Sequence, residues 1–273
     1  MSAQALQRML IRVMFDPSLL EALRSEPEQV MGMESLSTHE LTDLLSQDPR
    51  AFRTDSHRSS RHLQALLEEY PVSVHHFTQG NPGRLLSFFS SARFHDAIQQ
   101  WTSIRKAFER YLVEQAPPEF EPLISLEGAI ATSRHSSQNE DPLSPGHWRL
   151  GPSKGLVQTP SGLCAKYSEL LLPMKETHIL EALKSPPGSA LNLSGKKDSW
   201  ALIEKNEAGE LEMGEIPESL AQILLEIEHK EVPHRELVDI IISLGADHRE
   251  EAEEVLQSLR GEGLLVGNDG LGI

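Results

Sequence analysis

At 273 residues the chain has room for one large domain or two of ordinary size. Its 41 Asp+Glu outweigh 25 Lys+Arg, and the net charge of −16 argues against general binding of nucleic acid or of an anionic membrane. The single cysteine, Cys164, excludes an intramolecular disulfide and fits a reducing cytoplasm; no apolar run is long enough for a signal peptide or a membrane span.

Residues 1–133 read as an all-helical domain. Leu6, Met9, Leu10, Val13 and Met14 form a stripe broken near Asp16-Pro17, and Leu19, Leu20 and Leu23 continue it. Ser37 followed by Glu40 is a capping-box pattern, opening a helix through Leu41, Leu44 and Leu45. A longer helix is expected from about Asp55 to Glu69, stopped at Tyr70-Pro71 because the residue before proline disfavours helix. A shorter helix follows over Val72–Phe77, then a turn at Gly80-Asn81-Pro82-Gly83. Phe94, Ile98 and Trp101 share one face, and Ile104, Phe108 and Tyr111 another; both aromatic stripes read as core. Leu123, Leu126 and Ile130 predict one further helix returning to the bundle.

The Ser, Pro, Gly, His and Asn content around 134–146 marks a linker. An α+β domain over 147–273 comes next. Its first part holds strand-like WRLG, GLVQTP and ALNLS and a helical CAKYSELL. From Trp200 the pattern is clearer. Two strand-like runs, with Trp200, Leu202 and Ile203 in the first and Leu211 and Met213 in the second, flank a turn at Glu207-Ala208-Gly209.

Three helices follow: Leu220, Ile223, Leu224 and Ile227 on one, Leu237, Ile240 and Ile241 on the next, and Ala252, Val255, Leu256 and Leu259 on the third. Asp247 is the expected N-cap of the third helix, and a strand at Leu264-Leu265-Val266 closes the chain. This order over 200–268 is that of a winged helix. Yet residues 201–273 hold 18 Asp+Glu against 5 Lys+Arg, a net −13, and a third helix reading EEAEEVLQ would be repelled by phosphates. Strand addition at the sheet edge is the alternative use of such a unit.

No catalytic constellation is visible. There is no HExxH pair, Cys-rich metal frame, Gly-x-Ser-x-Gly, phosphate-cradling loop or dinucleotide fingerprint. His75 and His76 are adjacent and point apart, and Cys164 reads as a small buried side chain.

The stretches SWALIEKNEAGELEMGEI, PESLAQILLEI and VLQSLRGEGLLV resemble the PqqD-like peptide-binding modules, also called RiPP recognition elements. HLQALLEEYPVS, LLSFFSSARFHDAIQQ, FEPLISLEGAIA and LVQTPSGLCAKYSELL look like segments of the partner proteins of multinuclear iron-dependent oxidative enzymes. The resemblance implies a non-catalytic accessory subunit in RiPP biosynthesis. Such a subunit binds the leader of a ribosomal precursor peptide and forms a heterodimer with an iron-dependent barrel enzyme, the iron lying in that enzyme and no cofactor in this chain. It also implies peptide contacts from Trp200, Leu202, Glu204, Leu211 and Met213 on the hairpin and Val255, Gln257, Ser258 and Arg260 on the third helix. Docking on the enzyme would use Phe88, Phe89 or Trp101, whichever is exposed. The acidic third helix favours a basic or apolar leader. A winged-helix transcriptional regulator with a helical sensor domain is the alternative, and a free-standing enzyme using a metal or Cys164 a third.

Overall fold

The computed structural model describes residues 3–27, 36–48, 52, 58–135, 142–151, 153–176, 179–184, 187, 197–206, 208–228 and 230–268. It is a mixed α+β structure, mostly helical, with two three-stranded antiparallel sheets. Its contacts divide the chain into two compact units, one comprising 1–118 and 173–190 and the other 119–172 and 191–273.

The first unit is helical. After α1 (Ala3–Phe15), the Asp16 carboxylate accepts the Ser18 N–H and so caps α2 (Pro17–Ser25). Met9, Val13, Leu20 and Leu23 close on Leu41 and Leu44 of α3 (Thr38–Ser46). That helix opens with the expected capping box: Ser37 Oγ accepts the Glu40 N–H, and the Glu40 carboxylate accepts the Ser37 N–H at 2.8 Å. The bonds from Ser37 hold the Glu40 carboxyl below its ordinary range.

The helix α4 (Arg58–Glu69) stops at Tyr70-Pro71 as the sequence requires, residues 55–57 lying outside those described. Next come α5 (Pro71–Thr78), the single turn α6 (Gly83–Leu86), a 3₁₀ turn over Ser87–Ser90, α7 (Ala92–Gln100) and α8 (Ile104–Gln115). Phe88 sits at the centre of the aromatic core, with the ring centroids of Phe94, Phe108 and Tyr111 5.5, 5.0 and 5.4 Å away.

Two expectations change in this unit. Phe88 and Phe89 are buried, their helical turn facing inward onto α7 and α8, so neither offers a docking face. Trp101 leaves the Phe94–Ile98 stripe. The helix ends at Gln100 and Trp101 turns into the left-handed region (φ 52°, ψ 40°), so its ring is 53% exposed while Phe94 and Ile98 are buried.

In the second unit the helix α9 (Glu121–His135) does not return to the bundle; it packs on strands β2 (Gly155–Thr159) and β3 (Ser199–Lys205). Its buried residues include Leu123, Ile124, Leu126, Glu127, Gly128, Ile130 and Ala131 and so lie on more than one side, as in a covered helix rather than a surface one. One sheet has the order β2-β3-β4, with β4 at Leu211–Ile216. The expected β3–β4 hairpin forms, its turn held by Asn206 and by Gly209 at φ 80°; Glu207 lies outside the described residues.

The other sheet sets β1 (His147–Leu150) between β5 (Val232–Pro233) and β6 (Leu265–Gly267). The hairpin and the closing strand therefore belong to different sheets, because the closing strand pairs with WRLG, 115 or more residues upstream, instead of with the hairpin. The expected CAKYSELL helix is α10 (Leu163–Glu176), followed by the single turn α11 (Ile179–Ala182). The strand expected in ALNLS and part of the 134–146 linker lie outside the described residues.

All three C-terminal helices form: α12 (Glu218–Ile227), α13 (His234–Ser243) and α14 (Arg249–Gly261). His248, not Asp247, is the N-cap of α14, and its side chain makes no capping bond. The Glu251 carboxylate instead takes the Asp247 N–H at 2.7 Å. Ile223, Leu224, Ile227, Leu237, Ile241, Leu256 and Leu259 gather around Trp148, which is fully buried. The Trp148 indole N–H donates to His234 Nδ1 at 3.0 Å, and Gly267 lies flat against the ring, where a Cβ would come within 2.8 Å. Among the described residues no helix is long and apolar enough to cross a membrane.

Candidate functional site

The sheet β2-β3-β4 is short and covered by helices, with β2 and β4 as its edges. Ala201, Leu202 and Ile203 of β3 are all buried, so both faces of the central strand are covered. Leu202 joins the Trp148 cluster with Leu156 and Ile216 packed alongside, while α9 covers the opposite face. Gly155 permits that approach, because a Cβ there would lie 2.7 Å from Ser133 Oγ. Lys205 Nζ donates to the Arg134 carbonyl at 2.6 Å and fixes the far end of the sheet to α9.

Strand β4 ends the sheet, with β3 as its neighbour. Every second residue of an edge strand turns its N–H and C=O outward, and among the described residues no backbone group takes up those of 211–216. Glu212, Gly214 and Glu215 are exposed, and Leu211, Met213 and Ile216 are half-buried. At one end the Glu215 carboxylate accepts the Gly162 N–H and the Ser199 hydroxyl, tying that side chain to the loop before residue 163. Glu212 accepts from Asn206 at 2.8 Å, and Glu204 pairs with Lys154.

Register divides the five hairpin candidates. Trp200 opposes Ile216, Leu202 opposes Gly214 and Glu204 opposes Glu212, whereas Leu211 and Met213 oppose Lys205 and Ile203. Residues directly opposite share a face, so Trp200, Leu202 and Glu204 lie on one side of the sheet and Leu211 and Met213 on the other. Peptide added at the edge would meet backbone first, and these side chains from both faces.

On the third helix, Val255 packs with Leu202 into the Trp148 cluster, and both act as core there. Gln257, Ser258 and Arg260 are exposed; Ser258 donates to Glu262 at 3.2 Å, and the Arg260 guanidinium stands 5.8 Å over the Trp148 ring. This helix packs on α13 and β6, and the hairpin on α9 and α12. Sequence reasoning missed Glu215, whose carboxylate ties β4 to the start of α10. No local pattern could have revealed it, since its partners are at 161–162 and 199.

Cys164 is buried under the same corner, and burial together with the nearby Glu215 carboxylate pushes its thiol up to about 11. Such a thiol is held in its protonated form at neutral pH. Among the described residues no group of three His, Cys, Asp or Glu side chains converges to hold a metal ion. Compared with known protein families, curated proteins and solved structures, the chain matches none of them.

Proposed function

We propose that this chain is an accessory subunit that binds the leader of a ribosomally made precursor peptide and presents it to an iron-dependent maturase. The observation that carries the reading is the open edge of β4 on a sheet covered on both faces. An extended peptide added there gains main-chain hydrogen bonds without displacing any of the described elements. The order of a three-stranded sheet followed by three helices supports a PqqD-like arrangement over this part of the chain. Glu212 and Glu215 on β4 favour a basic or apolar leader. The iron belongs to the partner in this reading, and no step is assigned to this chain.

The helices α12–α14 with the sheet β5-β1-β6 also fit a winged helix, which keeps the regulator as a second reading. Against it stand Glu250, Glu251, Glu253 and Glu254 on the helix that would enter the groove of DNA.

The test needs a candidate pair from the neighbouring genes, a short peptide and an iron-binding barrel protein, expressed together with this chain. The expected result is co-elution of all three, with iron in the barrel protein and slowed amide hydrogen exchange over 211–216 when the peptide binds. Peptide binding that leaves 211–216 unprotected would remove the edge from the mechanism. Failure to retain either component, with salt-sensitive retention on promoter DNA, would favour the regulator.

A further inference from the structure

Strand β4 carries a glycine near its middle, and nothing in the fold calls for one. Gly214 does not take a left-handed φ, and a Cβ built there would meet no atom within 4 Å. The β3–β4 register runs unbroken from Trp200 opposite Ile216 to Lys205 opposite Leu211, so no bulge falls at this position. A glycine inside a strand costs backbone entropy and packs nothing. Without a bulge, it marks a place where something from outside the strand comes close.

The hairpin turn decides which groups face the open edge. The Asn206 N–H donates to the Glu210 carbonyl at 2.9 Å, which makes 206 and 210 a hydrogen-bonded pair. Such pairs alternate along an antiparallel ladder, so 212, 214 and 216 turn their backbone groups toward β3. Those of Leu211, Met213 and Glu215 turn outward. A strand added antiparallel bonds to these three and meets Gly214 at a non-hydrogen-bonded position, where opposed Cα atoms come within about 4.5 Å. There Gly214 is exposed and leaves empty the space of a side chain, with Leu202 opposite it on β3 and Glu212 and Ile216 on either side. An aromatic ring laid across an edge glycine fills such a gap.

Charge specifies the next position on this face. Glu204 and Glu212 stand directly opposite one another, an unfavourable pairing of like charges. Lys154 answers Glu204, whereas Glu212 has the Asn206 amide and, among the described residues, no cation.

We infer that the β4 edge selects an extended, antiparallel peptide with an aromatic residue opposite Gly214 and a lysine or arginine two residues later, opposite Glu212. The residue two before the aromatic one lies opposite Ile216 and is apolar. The inference rests on the proposed function and names the sequence pattern its peptide must carry.

The probes are fluorescein-labelled peptides of about twelve residues built around valine-threonine-phenylalanine-threonine-lysine. A second has alanine for the phenylalanine and a third glutamate for the lysine, and each is titrated against the full chain by anisotropy. The phenylalanine peptide is expected to bind about three- to tenfold tighter than the alanine one. The glutamate peptide should bind more weakly than its lysine counterpart, by a margin that narrows as salt is added. In Gly214→Val the preference for phenylalanine over alanine should vanish while the Tm holds or rises, because valine suits a strand and its Cβ enters open space. Gly214→Ala, which adds that Cβ alone, repeats the comparison if valine lowers the Tm. Loss of the preference without loss of stability separates a selecting position from a structural one.

Equal affinity for the phenylalanine and alanine peptides, or a preference that survives in both variants, overturns the inference. If those peptides nonetheless slow amide exchange over 211–216, the proposed function stands without it. Binding by none of the three also overturns the inference, and the proposed function is then judged by whether the precursor peptide from the neighbouring genes slows exchange over 211–216.

Discussion

At the scale of single residues, burial decides chemistry more than residue type does. Cys164 follows Gly162 and Leu163 at the start of α10, where a helix N-terminus would favour a thiolate, yet burial and Glu215 raise its thiol to about 11. Only about one thiol in 1,000 is then ionised at pH 8, so maleimide labelling should be slow in the folded chain and fast in denaturant. Rapid labelling of the native protein would reopen the reading of Cys164 as a nucleophile. His95 makes the same point. Burial and the Arg12 guanidinium, whose Nε donates to His95 Nδ1 at 2.9 Å, lower its pKa. A lowered imidazole contributes stability above about pH 6.5 that is lost as pH falls through the folded value. The thermal midpoint should accordingly drop more between pH 7 and pH 5 in the natural chain than in His95→Gln; parallel curves for the two would exclude this residue as the cause.

At the scale of elements, the sequence is most readable where one face is apolar and the ends carry their own signals. The capping box at Ser37 and Glu40, the stop at Tyr70-Pro71 and the three C-terminal helices all form, because their determinants lie within a few residues of each other. The stripe ending at Trp101 failed because periodicity does not say where a helix stops, and one left-handed residue turned the indole outward. Strand partners were not legible either. Nothing in WRLG announces that it sits between β5 and β6, or that Trp148 needs a residue without a side chain opposite it. That need is testable: Gly267→Ala drives a Cβ into a fully buried indole and should cost about 1–3 kcal/mol in denaturant titrations, with a shift in Trp148 emission. A neutral substitution would mean that β6 shifts freely past the ring.

At the scale of the molecule, the division found by contact differs from the one drawn by composition. The helix over Glu121–His135 joins the sheets and 173–190 joins the helices, since an apolar stripe does not specify which surface it will cover. The candidate edge was legible as a hairpin, but its openness, its two covered faces and the anchoring of Glu215 depend on β2, α9 and the loop before α10, all distant in sequence. One consequence concerns synthesis. Strand β1 emerges from the ribosome early, but its partners lie at 232–233 and 265–267. Loss of chain entropy must be met before such distant pairings reward it. The β2-β3-β4 sheet can assemble once residue 216 has been made, whereas Trp148 must wait for Gly267. Until then a strand with two unpaired sides is exposed, and a shortened product lacking β6 would keep one of those sides unpaired.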